Sequence, residues 1–223
     1  MNLNKSLEFF DPSTIKDPIH IIGCGAIGSN IAEELVRAGV EKLTLWDFDV
    51  VEEHNLANQL YTTKHINMLK TIALTDILQE INPNCKTILK SAWTPEELLT
   101  GHIFCCVDNI DLRREIVKTN IYNPMIKSMF DIRMSLTEGK LYAADWKIDK
   151  QKETLLATMN YTHDEAKESI PVSACGFELS VAPTVKIISS FQVANFMNFI
   201  KTNKLKKFGM IDAFEFFTEF YNA

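Results

Sequence analysis

The chain has 223 residues and a formal net charge of −6, with 46% apolar and 23% charged residues. That balance suits a globular chain large enough to bury a core without staples, and 223 residues are read as one domain, 1–223, behind a short arm at 1–17. The acidic sign excludes a general nucleic-acid coat and a membrane-surface protein, so neither a nucleic-acid nor a membrane partner is expected. Five cysteines (Cys24, Cys85, Cys105, Cys106, Cys175) form no C-x-x-C pair and no zinc spacing. Free thiols fit a cytoplasmic location.

After the arm, Pro18 to Ile22 is a short apolar run that ends in a glycine loop, Gly23-Cys24-Gly25-Ala26-Ile27-Gly28. Ile27, Ile31, Leu35 and Val36 then recur at helical spacing until Gly39. Lys42 to Trp46 reads as a second strand that ends at Asp47-Phe48-Asp49. Met68 to Ile81 is a helix and Thr87 to Leu89 a brief strand. Thr94-Pro95-Glu96-Glu97 has the marks of a helix start, a capping threonine followed by proline and acids. His102 to Val107 is an apolar strand that ends in Asp108-Asn109, Asp111 to Ile121 a helix, and Met125 to Phe130 another strand.

From Asp131 the rhythm changes. A Glu138-Gly139 turn and the run Lys140 to Trp146 suggest an antiparallel extension. Residues 149–172 show no periodicity and read as an irregular crossover segment, 149–176, facing the substrate. A long helix is expected from about Phe177 to Lys201, which Pro183 must start or kink, and one last strand over Met210 to Phe216. The fold class is therefore α/β: a Rossmann-like, doubly wound, mostly parallel sheet with helices on both faces and an antiparallel extension in the C-terminal third.

Within that pattern Gly23 permits a tight turn, Gly25 allows backbone to approach a ligand, and Gly28 allows close helix–sheet packing. Asp47, nineteen residues after Gly28, can accept hydrogen bonds from a ribose. Alone, these features would also serve an NAD-dependent oxidoreductase. The residues beyond them narrow the class: Asp47-x-Asp49-x-Val51, Asn55-Leu56-x-x-Gln59, Lys70 opening a helix, and Asp108-Asn109 with Arg113 downstream.

In this order the residues resemble the ThiF/MoeB family, the ubiquitin-activating-like adenylyltransferases, along nearly the whole chain. The resemblance implies binding of ATP and Mg²⁺ and attack of a substrate carboxylate on the α-phosphate. The implied partner is a small ubiquitin-like or sulfur-carrier protein, activated at its C-terminal glycine, and the implied assembly is a homodimer. Gly23, Gly25, Ala26, Ile27 and Gly28 would hold the nucleotide together with Asp47, Asp49, Asn55, Gln59 and Lys70. Lys70 would also offset charge on the departing pyrophosphate, Asp108 would hold the metal, and Cys175, ahead of the long helix, is a candidate thioester or persulfide nucleophile. Three positions depart from the family pattern. Asn58 stands where the family has an arginine, Asn67 where it has a glycine, and no arginine precedes Arg37. Lys5, Lys16, Lys64 and Arg133 are the cations available to stand in. The family's paired C-x-x-C zinc ligands are absent, so no zinc is expected. The missing arginines motivate a second reading, a catalytically weakened nucleotide-binding partner of the same fold.

Overall fold

A computed structural model describes residues 1–168, 171–174, 176 and 179–221. Its centre is one eight-stranded sheet in the order β3-β2-β1-β4-β5-β6-β7-β8. Strands β1 (Ile19–Ile22), β2 (Lys42–Trp46), β3 (Lys86–Lys90), β4 (Gly101–Cys105) and β5 (Ile126–Met134) run parallel. Strands β6 (Glu138–Asp145), β7 (Phe208–Asp212) and β8 (Phe217–Tyr221) continue the sheet antiparallel. The order reverses between β1 and β4, so the carboxyl ends of these two strands flank a crevice, the place where doubly wound sheets bind ligands.

Helices α1 (Ala26–Arg37), α2 (Lys70–Ile81) and α6 (Ala182–Thr202) bury Ile31, Leu35, Leu74, Leu78 and Phe196 against Ile21, Leu45, Phe104 and Phe130 on one sheet face. On the other face Ile116 and Val117 of α3 (Ile110–Asn120) and Leu155 of α4 (Asp149–Ala157) meet Ile103, Met129 and Ala144. A short α5 (His163–Glu168) follows. At the outer rim β3 leaves Ile88 and Leu89 exposed between Lys86 and Lys90.

The parallel strands fall where the apolar runs place them, and several C-terminal or linking segments differ from expectation. Thr94 to Glu97 forms a single turn, with Glu97 N donating to Thr94 O at 2.9 Å, and no helix. Trp93 and Leu99 are both drawn into the core, and β4 begins at Gly101, which leaves too few residues for a helix between them. Glu138 and Gly139 lie inside β6; the reversal comes earlier, at residues 135–137. Much of the supposedly irregular 149–176 segment is helical. Its buried residues, among those described, are Leu155, Met159, Gln151 and Lys152, with Leu156, Tyr161 and Ala166 packed partly against the same core, a spacing that does not register as a period. The long helix begins at Ala182, not Phe177, because proline fits the first turn and not the interior; Phe177 itself lies outside the described residues. The single expected last strand is two, β7 and β8, paired as a hairpin.

Candidate functional site

The glycine loop leaves β1 through Gly23 at φ +93, a region closed to most side chains. A Cβ at Gly28 would lie 1.8 Å from Gly23 O, so only glycine lets α1 start this close to the strand. At Gly25 a Cβ would meet nothing within 4 Å, because that position opens into a cavity. Gly23, Gly25, Ala26 and Ile27 all line this cavity, at the end of α1 where unpaired amides and the helix dipole favour an anion.

Asp47, at the end of β2, accepts from Cys24 N at 2.7 Å and from Asp49 N at 2.8 Å. Burial pushes its carboxyl up; those two backbone donors and Lys70 pull the other way. Lys70 opens α2 and is buried at 8% exposure, with Nζ 2.7 Å from Asp49 Oδ2. Its backbone N–H also donates to Asp49 O at 2.8 Å, so loop and helix are joined twice. Asn67, in place of a glycine, takes φ +69, which asparagine tolerates.

Asn55 sits in a 3-10 turn, Glu53–Ala57, where its Oδ1 accepts from Glu52 N at 2.9 Å. Gln59 Oε1 is buried without a hydrogen-bond partner among the described residues. Asp108, just past β4, is exposed at the cavity wall, in the segment whose Cys106 and Val107 backbone lies against Gly23. Asp47, Asp49, Asn55, Gln59, Lys70 and Asp108 thus line one cavity of about 1370 Å³, larger than the roughly 300–1,000 Å³ that holds a single small ligand. Cys175 lies outside the described residues. Cys106 lines the cavity too, but burial raises its thiol well above the usual range, which makes it a poor nucleophile.

Of the four substitute cations only Arg133 reaches the cavity wall among the described residues; Lys64 instead pairs with Asp76 and Glu80 on the surface. Arg133 is already engaged. Its Nε donates to Asp131 Oδ2 at 2.7 Å and its other nitrogens donate to Thr158 O (2.7 Å) and Thr158 Oγ1 (2.8 Å). Its guanidinium lies 4.4 Å from the Tyr142 ring centre. Asp131, fully buried, also accepts from Arg113, whose Nη1 lies 3.3 Å from Cys105 O. Arg114 completes a second grip on the same wall: its Nε donates to Met159 O at 2.9 Å and its Nη2 to Tyr161 O.

These arginines hold residues 158–161 so that Thr158, Tyr161 and His163 form the far wall of the cavity. The motif-based reading missed this wall. One signal was present: Asp131 and Arg133, two apart on a strand, must share a face.

Fold and crevice together define a doubly wound α/β protein with its cavity at the strand-order reversal. The chain belongs to the ThiF family, whose family model matches residues 16–222. It is similar to ubiquitin-like modifier-activating enzyme 5 of Arabidopsis thaliana, 31% identical over 120 residues, which cover 44% of this chain and 28% of that protein. It is also similar to the molybdopterin-synthase adenylyltransferase of Haemophilus influenzae, 32% identical over 120 residues, 50% of this chain and 49% of that protein. The chain therefore spans half the length, or less, of these curated relatives. Crystal structures of PaaA and of E. coli MccB with ATP match 95% of the chain with TM-scores of 0.72 and 0.73. They cover 74% and 65% of those proteins at 15% identity, a likeness of fold. No helix among the described residues is long and apolar enough to cross a membrane.

Proposed function

We propose that the chain is an ATP-dependent adenylyltransferase that activates a carboxylate, the C-terminal glycine of a ubiquitin-like or sulfur-carrier protein. One observation carries the reading: in a ThiF-family chain, the glycine loop, Asp47, Lys70, Asn55, Gln59 and Asp108 converge on a single cavity. The loop amides and the α1 N-terminus face the phosphates, and Asp47 takes the ribose. Gln59, which also lines the cavity, donates from its amide Nε2 to the triphosphate.

Lys70 shifts from Asp49 toward the β- and γ-phosphates, where it offsets charge as the bond between the α-phosphorus and the bridging oxygen breaks. The substrate carboxylate oxygen forms the new bond to that phosphorus, and pyrophosphate leaves. The donor set fits magnesium: one exposed carboxylate, Asp108, at the cavity wall leaves the remaining positions to phosphate oxygens and water. When bound, the metal screens the phosphate charge. The wall held by Arg133 and Arg114 gives the incoming carboxyl terminus its place beside the nucleotide.

The decisive assay is Mg²⁺-dependent ATP–pyrophosphate exchange with a ubiquitin-like protein ending in Gly-Gly. Asp108→Asn is expected to lower exchange by about 100-fold or more while shifting stability by no more than about 0.5 kcal/mol. Normal exchange in that variant overturns the role of Asp108. Asn58 and the engaged state of Arg133 favour one rival, a nucleotide-binding partner without turnover: that protein would bind ATP and show no exchange with any carrier.

A further inference from the structure

Tyr61 lies two residues beyond Gln59 and is buried, at 3% exposure. Its hydroxyl donates to Cys24 O in the glycine loop at 2.6 Å and also lies 3.3 Å from Lys70 O on the first turn of α2. Cys24 N, for its part, donates to Asp47 Oδ2 at 2.7 Å. Both polar backbone groups of Cys24 are therefore held, one by each side chain.

In a trans peptide the carbonyl and the following N–H point in opposite directions. Drawing Cys24 O inward toward Tyr61 turns the N–H of Gly25 outward, and Gly25 is the residue whose surroundings are open cavity. Without the anchor this peptide could turn over at small steric cost, because residue 25 is glycine. Burial, reinforced by Cys24, Asp47 and Asp49, pushes the Tyr61 phenol far up, so it remains a donor at any physiological pH.

We propose that Tyr61 is a positioning residue for phosphate binding: it sets the Cys24–Gly25 peptide so that Gly25 N–H faces a bound phosphate, and it braces this loop against the turn that carries Lys70. The inference rests on the nucleotide reading above. It separates Tyr61 from an ordinary buried tyrosine, which would only fill space and satisfy its own hydroxyl.

Tyr61→Phe keeps the ring and removes the donor. Titrations of the full chain with Mg–ATP, inorganic pyrophosphate and adenosine decide the matter. About tenfold weaker binding of ATP and pyrophosphate is expected, with adenosine unchanged. Equal weakening of all three, or of none, overturns the proposal. A measurement on the unsubstituted protein guards against a variant that fails to fold: the Gly25 amide is expected to exchange freely without nucleotide and to be protected by ATP. Protection without nucleotide, or none with it, overturns the proposal as well. If the unsubstituted protein binds no ATP, the adenylyltransferase reading falls and takes this one with it. If it binds ATP and Tyr61→Phe binds as tightly, only the role of Tyr61 falls.

Discussion

The two halves of the sheet build their sides of the cavity by different means. On the parallel half the wall is built at element ends: the glycine loop, the start of α1, the segment after β2 that carries Asp47, Asn55 and Gln59, and the turn after β4 that carries Asp108. On the antiparallel half it is a segment between α4 and α5, held in place by arginine side chains whose partners are distant in sequence. The glycine turn of the parallel half tolerates little change in size at its tightest points, Gly23 and Gly28. A wall of charged side chains depends instead on keeping its charges matched.

The largest effect should come from unmatching them. Asp131→Leu leaves Arg113 and Arg133 buried without their shared carboxylate, at a cost of about 4 kcal/mol read from urea unfolding. A loss under about 1 kcal/mol would mean that the cluster is not what holds the antiparallel wall. On the parallel side Gly28→Ala forces a methyl group into Gly23 O and should cost about 3 kcal/mol, with loss of ATP binding.

Acid should single out the parallel half. Burial lowers the ring of His20 on β1 and that of His102 on β4 from 6.5 to about 4. The unfolded chain therefore takes up protons first as pH falls, so the stability these neutral rings contribute is present above 6.5 and lost on the way down to 4. By about pH 4.5 each ring should have lost about 2 kcal/mol relative to about pH 7. His102→Asn should flatten that slope in urea melts recorded across the interval, and an unchanged slope would clear His102 of the effect.

Smallest of all, Gly25→Ala should change stability by less than about 0.5 kcal/mol, since its methyl group meets open space. A large loss there would show that the loop is packed more tightly than its geometry indicates.

This division also explains what the sequence disclosed. Gly23, Asp47, Lys70 and Asp108 sit at turns and element ends, which local spacing records, and each lines the cavity, while Gly28 packs behind it against Gly23 O. Strands β1, β2 and β4 were legible for the same reason: each is a short, largely apolar stretch that ends at a glycine or acidic turn. The helix α4 was not, because Leu155, helped by Leu156, carries its apolar packing almost alone and five of its nine residues are exposed. The Thr94-Pro95 signal misled because local capping chemistry yielded to the demand that Trp93 and Leu99 both reach the core. Arg114 could not have been assigned by pattern, since its carbonyl partners lie 45 and 47 residues away.

Strand β3 is the rim of the sheet, so one row of its backbone groups has no strand partner among the described residues, beside the exposed side chains of Ile88 and Leu89. Such a border invites a neighbouring molecule to add its own strand. Lys86 and Lys90 stand at its two ends, so an antiparallel copy centred on Ile88 would set Lys86 of one molecule against Lys90 of the other. Ammonium groups at the ends of a rim strand disfavour such an addition, Lys86 more than Lys90, whose charge Glu97 already pairs at 3.1 Å.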